Sequence, residues 1–100
     1  MTIEKNTQAD RVTLAITGRI DTTTSPELEK AVEALGDEVQ SLVLDLAEVN
    51  YLSSAGLRTI LAAHKQMKKR QGMTVANVQD PVMNIFNMTG FSDILHFESL

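Results

Sequence analysis

The stretch from Ser41 to Val49, SLVLDLAEV, is the feature that most constrains how this 100-residue chain can fold. It is a nearly continuous apolar run of strand length, interrupted by Asp45. Such a run is typical of a central strand that is covered on both faces. We therefore predict a central β-strand here, in a sheet that packs against helices.

Four further strands are predicted around this one. Val12, Leu14 and Ile16 alternate with polar residues in RVTLAIT, which is the period of a half-buried strand, and residues 2–5 form a short strand before it. MTVANV at 73–78 and ILHF at 94–97 supply the later strands.

Three helices are predicted between the strands. The first has Ser25 as its N-cap, Pro26 at its first helical position and Gly36 as its terminator. The second spans 54–71 and stops at Gly72, and the third is capped by Asp80 and Pro81 and ends at Gly90. Their apolar faces comprise Leu28, Ala31, Val32 and Leu35, then Leu57, Ile60, Leu61, His64 and Met67, and then Val82, Ile85, Phe86 and Thr89.

The resulting order is β-β-α-β-α-β-α-β. Strand–helix–strand connections of this length favour parallel pairing through right-handed crossovers. The prediction is therefore an α/β fold, a small single-layer mixed sheet with helices packed against it, in a single domain over 1–100. A fold of this kind does not define a function, so the site is argued separately.

Composition excludes several classes of function. The net charge of -4 and the 4% aromatic content disfavour binding to nucleic acid, which needs basic patches and stacking surfaces. The absence of cysteine excludes disulfides, thiolate catalysis and cysteine zinc sites. The N-terminus, MTIEKNTQAD, has no apolar stretch of signal or membrane length, so we expect a cytoplasmic protein without direct membrane insertion.

No catalytic set is complete in the sequence. LSSAGL partly matches the nucleophile elbow G-x-S-x-G, but Leu52 stands where the first glycine is needed. His64 and His96 are the only histidines, and both are interpreted as packed or surface residues. Phosphate-binding glycine loops are absent and the acidic residues are scattered, so we expect no catalytic residue, no metal and no cofactor.

Two hydroxyl-rich segments are candidates for binding. In GRIDTTTSPE, Ser25 is interpreted as a cap, while Asp21 either makes a turn or contacts a partner. In SSAGLR, either Ser53 or Ser54 would serve as an N-cap, which leaves the other serine over. A serine there is also well placed for phosphorylation, because the phosphate would meet the positive end of the helix dipole. The residues alone favour the cap over the switch.

Three segments together resemble one known family. LVLDLAEVNYLSSAGLRTILAAHKQMKKRQGMTVANV at 42–78 resembles the core of STAS domains, specifically the bacterial anti-sigma factor antagonists. ITGRIDTTTSPELEK at 16–30 is similar to the family's glycine and aspartate segment, and PVMNIFNMTGFSDILHF at 81–97 to its closing helix, turn and strand. The resemblance covers nearly the whole chain in the family's order.

The resemblance implies a switch protein that is not an enzyme. In the family, the unphosphorylated antagonist binds an anti-sigma factor with serine kinase activity and so releases the sigma factor. The kinase phosphorylates the antagonist, and a serine phosphatase restores it. By position the phosphoacceptor is Ser54, with Ser53 as second choice, because Ser53 replaces the aspartate that many relatives have. The implied partner-binding residues are Asp21, Thr22, Thr23, Ser53, Ser54, Ala55, Gly56 and Arg58.

Two other functions stay open at this point. The first is a STAS scaffold or transporter-associated subunit that is never phosphorylated. The second is a small-ligand domain that binds nucleotide or lipid near GRIDTTT.

Overall fold

A computed structural model describes residues 1–100. Its strands are β1 (Thr2–Gln8), β2 (Arg11–Ile20), β3 (Ser41–Leu52), β4 (Met73–Ala76) and β5 (His96–Glu98). Its helices are α1 (Ser25–Glu33), α2 (Ser54–Lys68) and α3 (Asp80–Met88), and a short 3₁₀ turn, Phe91–Asp93, precedes β5. The predicted order of elements and the α/β class are confirmed.

The five strands form one mixed sheet in the order β1-β2-β3-β4-β5. The β1–β2 pair is antiparallel, and every later pair is parallel. Each parallel pair is joined by one helix, and the core cluster of 22 residues contains side chains from all three helices. The helices therefore share one face of the sheet.

The strand β3 is central, as predicted, but it is not covered on both faces. Leu42, Leu44 and Leu46 belong to the helix-covered core. On the opposite face, Val43 is buried between the neighbouring strands and Asp45 is half-buried. Both residues lie outside the core cluster. A rising strand order with crossovers of one hand places all the helices on one side, which explains the difference.

The predicted helix boundaries shift at several ends. Ser25 is the first helical residue of α1, and Thr24 takes the N-cap position without a side-chain cap bond. The helix ends at Glu33, so Gly36 is not its terminator. Asp80 is likewise inside α3, after the N-cap residue Gln79. The turn that follows α2 ends at Gly72, as predicted. This glycine has a φ of 100°, and its N–H donates to the Met67 carbonyl at 3.0 Å.

The buried faces of the helices are close to the predicted ones. In α1 and α3 the predicted Leu28, Val32, Val82 and Phe86 are buried. Thr89 is exposed, because it lies beyond α3 and its hydroxyl donates to the Ile85 carbonyl at 2.8 Å. In α2 the buried face is Gly56, Leu57, Thr59, Ile60, Ala63 and Met67, whereas the predicted Leu61 and His64 are half-buried.

Candidate functional site

Two segments meet where β2 and β3 end. The strands are parallel, and their last residues, Ile20 and Leu52, are paired. The N–H of Ser53 donates to the carbonyl of Ile20 at 2.9 Å. This bond places the loop that leads into α1 beside the first turn of α2, so both hydroxyl-rich segments belong to one surface. We call this surface the switch face and define it as residues 21–24 together with 53–58.

Asp21 organises the loop before α1. Its Oδ1 accepts the backbone N–H groups of Thr23 and Thr24, each at 3.0 Å, and the Thr24 hydroxyl at 3.1 Å. The Thr24 Oγ1 accepts the Asp21 N–H at 2.8 Å, and its single proton is shared between the Asp21 carboxylate and the Arg19 carbonyl, which is nearer at 2.7 Å. The side chain of Asp21 thus orders the turn before α1, and Ser25, predicted as the cap, is buried as the first helical residue.

The same contacts keep Asp21 ionised. The backbone N–H of Thr24 is the strongest influence that lowers the pKa of the Asp21 carboxyl, and burial opposes it. Three further groups also lower this pKa: the Thr24 hydroxyl, the N–H of Thr23 and the charged guanidinium of Arg19, which lies 3.6 Å away. The switch face therefore carries a fixed negative charge at neutral pH.

The two serines of α2 have different surroundings. Ser53 is the N-cap, with extended backbone, and its Oγ accepts the N–H of Gly56 at 3.2 Å. Ser54 is the first helical residue, is exposed, and its hydroxyl takes part in none of the side-chain hydrogen bonds of the structure. One serine therefore caps the helix, and the other presents an unbonded hydroxyl to solvent.

Gly56 sets how closely α2 approaches the strands. A Cβ atom at this position would lie 2.6 Å from Leu52 Cδ1, 2.8 Å from Ile20 Cγ2 and 2.8 Å from the Ile20 carbonyl oxygen. Because one of these atoms belongs to the backbone, the clash has no easy relief. Gly56 is buried, so it supports the switch face from beneath.

The other predicted residues differ in exposure. Thr22, Thr23 and Arg58 are exposed, whereas Ala55 is half-buried. His64 lies half-buried along α2, and His96 is exposed in β5, 3.7 Å from Glu98. Neither histidine is hydrogen-bonded to a serine of the switch face.

Arg19 and Tyr51 were missed by the sequence interpretation. They are paired across β2 and β3, and the Arg19 guanidinium lies 4.2 Å from the centre of the Tyr51 ring. Tyr51 is 38% exposed, so a cation and an aromatic ring flank the switch face. The available signal was their position, since each lies two residues before Asp21 or Ser53.

The structure also bears on metal and membrane binding. No group of three or more histidine, cysteine, aspartate or glutamate side chains is placed to hold a metal ion. None of the helices combines the length and the apolar character of a membrane span.

Comparisons with known proteins agree with this fold. The family model of the STAS domain matches residues 2–99. The chain is 31% identical to the anti-sigma-B factor antagonist of Listeria monocytogenes over 98 residues, which cover 96% of this chain and 86% of that protein. It therefore belongs to the STAS domain family, among the anti-sigma factor antagonists.

Solved structures show the same fold. The crystal structure of an anti-sigma factor antagonist from Mycobacterium paratuberculosis has a TM-score of 0.87 at 27% identity, over 96% of this chain and 83% of that one. The Bacillus cell fate determinant SpoIIAA in its phosphorylated form has a TM-score of 0.78 at 11% identity, over 99% and 91% of the two chains. The second likeness is one of fold.

Proposed function

We propose that this chain acts as an anti-sigma factor antagonist, that it binds the anti-sigma factor through the switch face, and that phosphorylation of Ser54 abolishes this binding. The relatives named as anti-sigma factor antagonists support the first part. In this proposal the chain is a ligand and a kinase substrate, and it catalyses no reaction itself.

The observation that carries the proposal is the division of roles between the two serines. The helix needs one cap, and Ser53 provides it through its bond to Gly56. Ser54 is thus free of a structural role in its side chain, and a kinase can modify its hydroxyl without removing the cap. Ser53 is half-buried and engaged, which supports Ser54 over Ser53 as the acceptor.

The position of Ser54 favours an effect on the partner over an effect on the fold. A phosphate there adds a charge of about -1.5 to -2 at the positive end of the α2 dipole, where it is stabilised. Asp21 is already ionised on the same face, so the phosphate makes the surface strongly negative. A partner that packs tightly against this face then meets repulsion and a desolvation cost.

The proposed partners follow from the family. The anti-sigma factor that binds the switch face has serine kinase activity and phosphorylates Ser54, and a serine phosphatase reverses the reaction. The γ-phosphoryl group passes from ATP to the Ser54 oxygen, whose proton is released, and ADP leaves.

A kinase assay with matched variants tests this proposal. We expect the chain, incubated with ATP and the anti-sigma factor kinase, to gain one phosphate that peptide mass spectrometry assigns to Ser54. Ser54→Ala should gain none, and the matched Ser53→Ala should still gain one. Modification of Ser53 alone would overturn the assignment. Absence of any modification, with binding to the anti-sigma factor retained, would favour a scaffold that is never phosphorylated.

A further inference from the structure

Arg58 lies one helical turn after Ser54. Residues four apart in an α-helix are neighbours on its surface, and side chains tilt toward the N-terminus of the helix. Position 58 is therefore a neighbour of position 54 on the surface of α2, within reach of a long arginine side chain. Both residues are exposed.

The guanidinium of Arg58 has no partner in the unmodified chain. The three ion pairs of the structure involve Arg19, Arg70 and His96. Arg58 lines a groove of about 320 Å³ between α1 and α2 together with Glu29 and Glu33. Neither carboxylate comes within 4.0 Å of Arg58, so the groove leaves this cation unpaired.

The other cation near the switch face is already engaged. Arg19 lies 3.6 Å from Asp21 and is stacked on Tyr51 at 4.2 Å. A new anion on Ser54 would therefore find Arg58 as the cation one turn away on its own helix, nearer in sequence than Lys65 and Lys68. Arginine suits this role, because its planar guanidinium donates two parallel hydrogen bonds to phosphate oxygens.

We propose that Arg58 binds the phosphate on Ser54 and holds it against the first turn of α2. This inference rests on the proposed function, since it concerns the phosphorylated state of the same site. One modification would then change the switch face twice: it adds negative charge at Ser54 and it withdraws the free cation at Arg58. A partner that uses Arg58 to contact an acidic group loses that contact as well.

The acidity of the phosphate reports this contact directly. A nearby cation favours the dianionic phosphate and so lowers its pKa, whereas a packing role of Arg58 would leave that pKa unchanged. The charged groups near the switch face are Arg19 at the end of β2, Asp21 in the loop before α1, Glu29 and Glu33 across the groove, and Arg58. These stay the same in every variant except Arg58, so a difference measurement isolates its contribution.

The test uses the full chain with phosphoserine installed at position 54 during translation and a titration followed by phosphorus NMR. Arg58→Gln should lower the second acid dissociation constant of the phosphate about twofold, which is the size expected for one ion pair on a helix surface. Arg58→Lys should restore part of the effect. The matched control Lys65→Gln also removes one positive charge from α2, but about 16 Å along the helix from Ser54. It should leave the pKa of the phosphate unchanged.

The outcome separates this inference from the proposed function. Equal titrations of Arg58→Gln, Lys65→Gln and the parent phosphoprotein would overturn the role of Arg58. Because the phosphate is installed without a kinase, that result leaves the kinase assay on Ser54 unaffected. Conversely, a chain that no kinase modifies would refute the switch even where the NMR titration shows the pair.

Discussion

The starts of α1 and α2 follow parallel strands and lie side by side, yet their side-chain hydrogen bonds differ. Before α1, the carboxylate of Asp21 accepts the N–H groups of Thr23 and Thr24, and the Thr24 hydroxyl accepts the Asp21 N–H and shares its proton between Asp21 and the Arg19 carbonyl. Before α2, Ser53 alone makes a single cap bond, and the adjacent Ser54 makes none. The side chains of Asp21 and Thr24 before α1 are thus hydrogen-bonded to each other and to the backbone, whereas the start of α2 has one hydroxyl, that of Ser54, without a hydrogen bond.

Within the switch face, Asp21 therefore has a structural role, and Ser54 has the proposed regulatory role. The Asp21 network fixes the shape and the negative charge of the loop, so changing it should disturb the fold. The Ser54 hydroxyl can change its chemical state while the fold stays intact. The following variants test that contrast, from the largest expected change in stability to the smallest.

Gly56→Ala should have the largest effect. The new methyl group would press on Leu52 and on the side chain and carbonyl of Ile20, the residue that joins the two helix starts. Overpacking of this kind costs about 1–3 kcal/mol, against a gain of less than about 1 kcal/mol in helix propensity. Denaturant unfolding measures the difference.

Gly36→Ala is the matched control for that variant. Its added methyl group meets only the flexible, exposed side chain of Glu38. We expect a change within about 0.5 kcal/mol. Equal losses in the two variants would contradict the close-approach role of Gly56.

Asp21→Asn should reduce the acid sensitivity of the fold. The pKa of Asp21 is lowered in the folded state, so its charged form stabilises the fold above the ordinary aspartate range. That stabilisation is lost as the pH falls from about 4 through the lower folded pKa. Melting curves from pH 7 to pH 2 should therefore fall less steeply for Asp21→Asn than for the parent chain.

The control for this titration is Asp10→Asn, which changes an exposed carboxylate that makes no hydrogen bond. Its melting curves should follow those of the parent chain. An equal loss of acid sensitivity in both variants would contradict the claim that the hydrogen bonds of Asp21 cause it.

Ser53→Ala and Ser54→Ala should differ in stability despite their adjacency. Removal of the Ser53 cap leaves the Gly56 N–H without its partner and should cost about 1 kcal/mol. Removal of the unbonded Ser54 hydroxyl should change the unfolding free energy by less than about 0.5 kcal/mol. The reverse order, measured by denaturant unfolding, would mean that the cap is assigned to the wrong serine.

Ser54→Asp should have a small effect on stability, and a favourable one. A carboxylate in the first turn interacts with the helix dipole by about 0.3–1 kcal/mol. The variant should keep one cooperative thermal transition, at or slightly above the melting temperature of the parent chain. A clear destabilisation would show that the fold cannot accept negative charge at this end of α2.

Much of this architecture could be predicted from the sequence, because it depends on local periodicity. The alternation around Val12 and the helical spacing after Leu57 both correspond to observed elements. The cap at Ser53 was one of two equal choices on the residues alone. The resemblance to the family selected Ser54 as the acceptor, and that assignment of the acceptor stays a prediction.

The remaining features depend on contacts between elements. Ser25 was predicted as the cap of α1, but the turn that Asp21 orders through the N–H groups of Thr23 and Thr24 lets the helix begin one residue earlier, with Thr24 in the N-cap position. The pairing of Arg19 with Tyr51 follows from register shifts between β2 and β3 that no local pattern reveals. The bare face of the sheet likewise follows from the strand order, which is a property of the whole chain.

The proposed phosphorylation of Ser54 switches partner binding and leaves the fold intact. Calorimetric titration of the anti-sigma factor with the unmodified chain, and with the chain that carries phosphoserine at position 54, tests this proposal. We predict that the phosphate weakens binding by about a hundredfold or more, since several kcal/mol of repulsion and desolvation are involved, while the melting temperature stays the same or rises slightly. Equal affinities for the two forms would contradict the account.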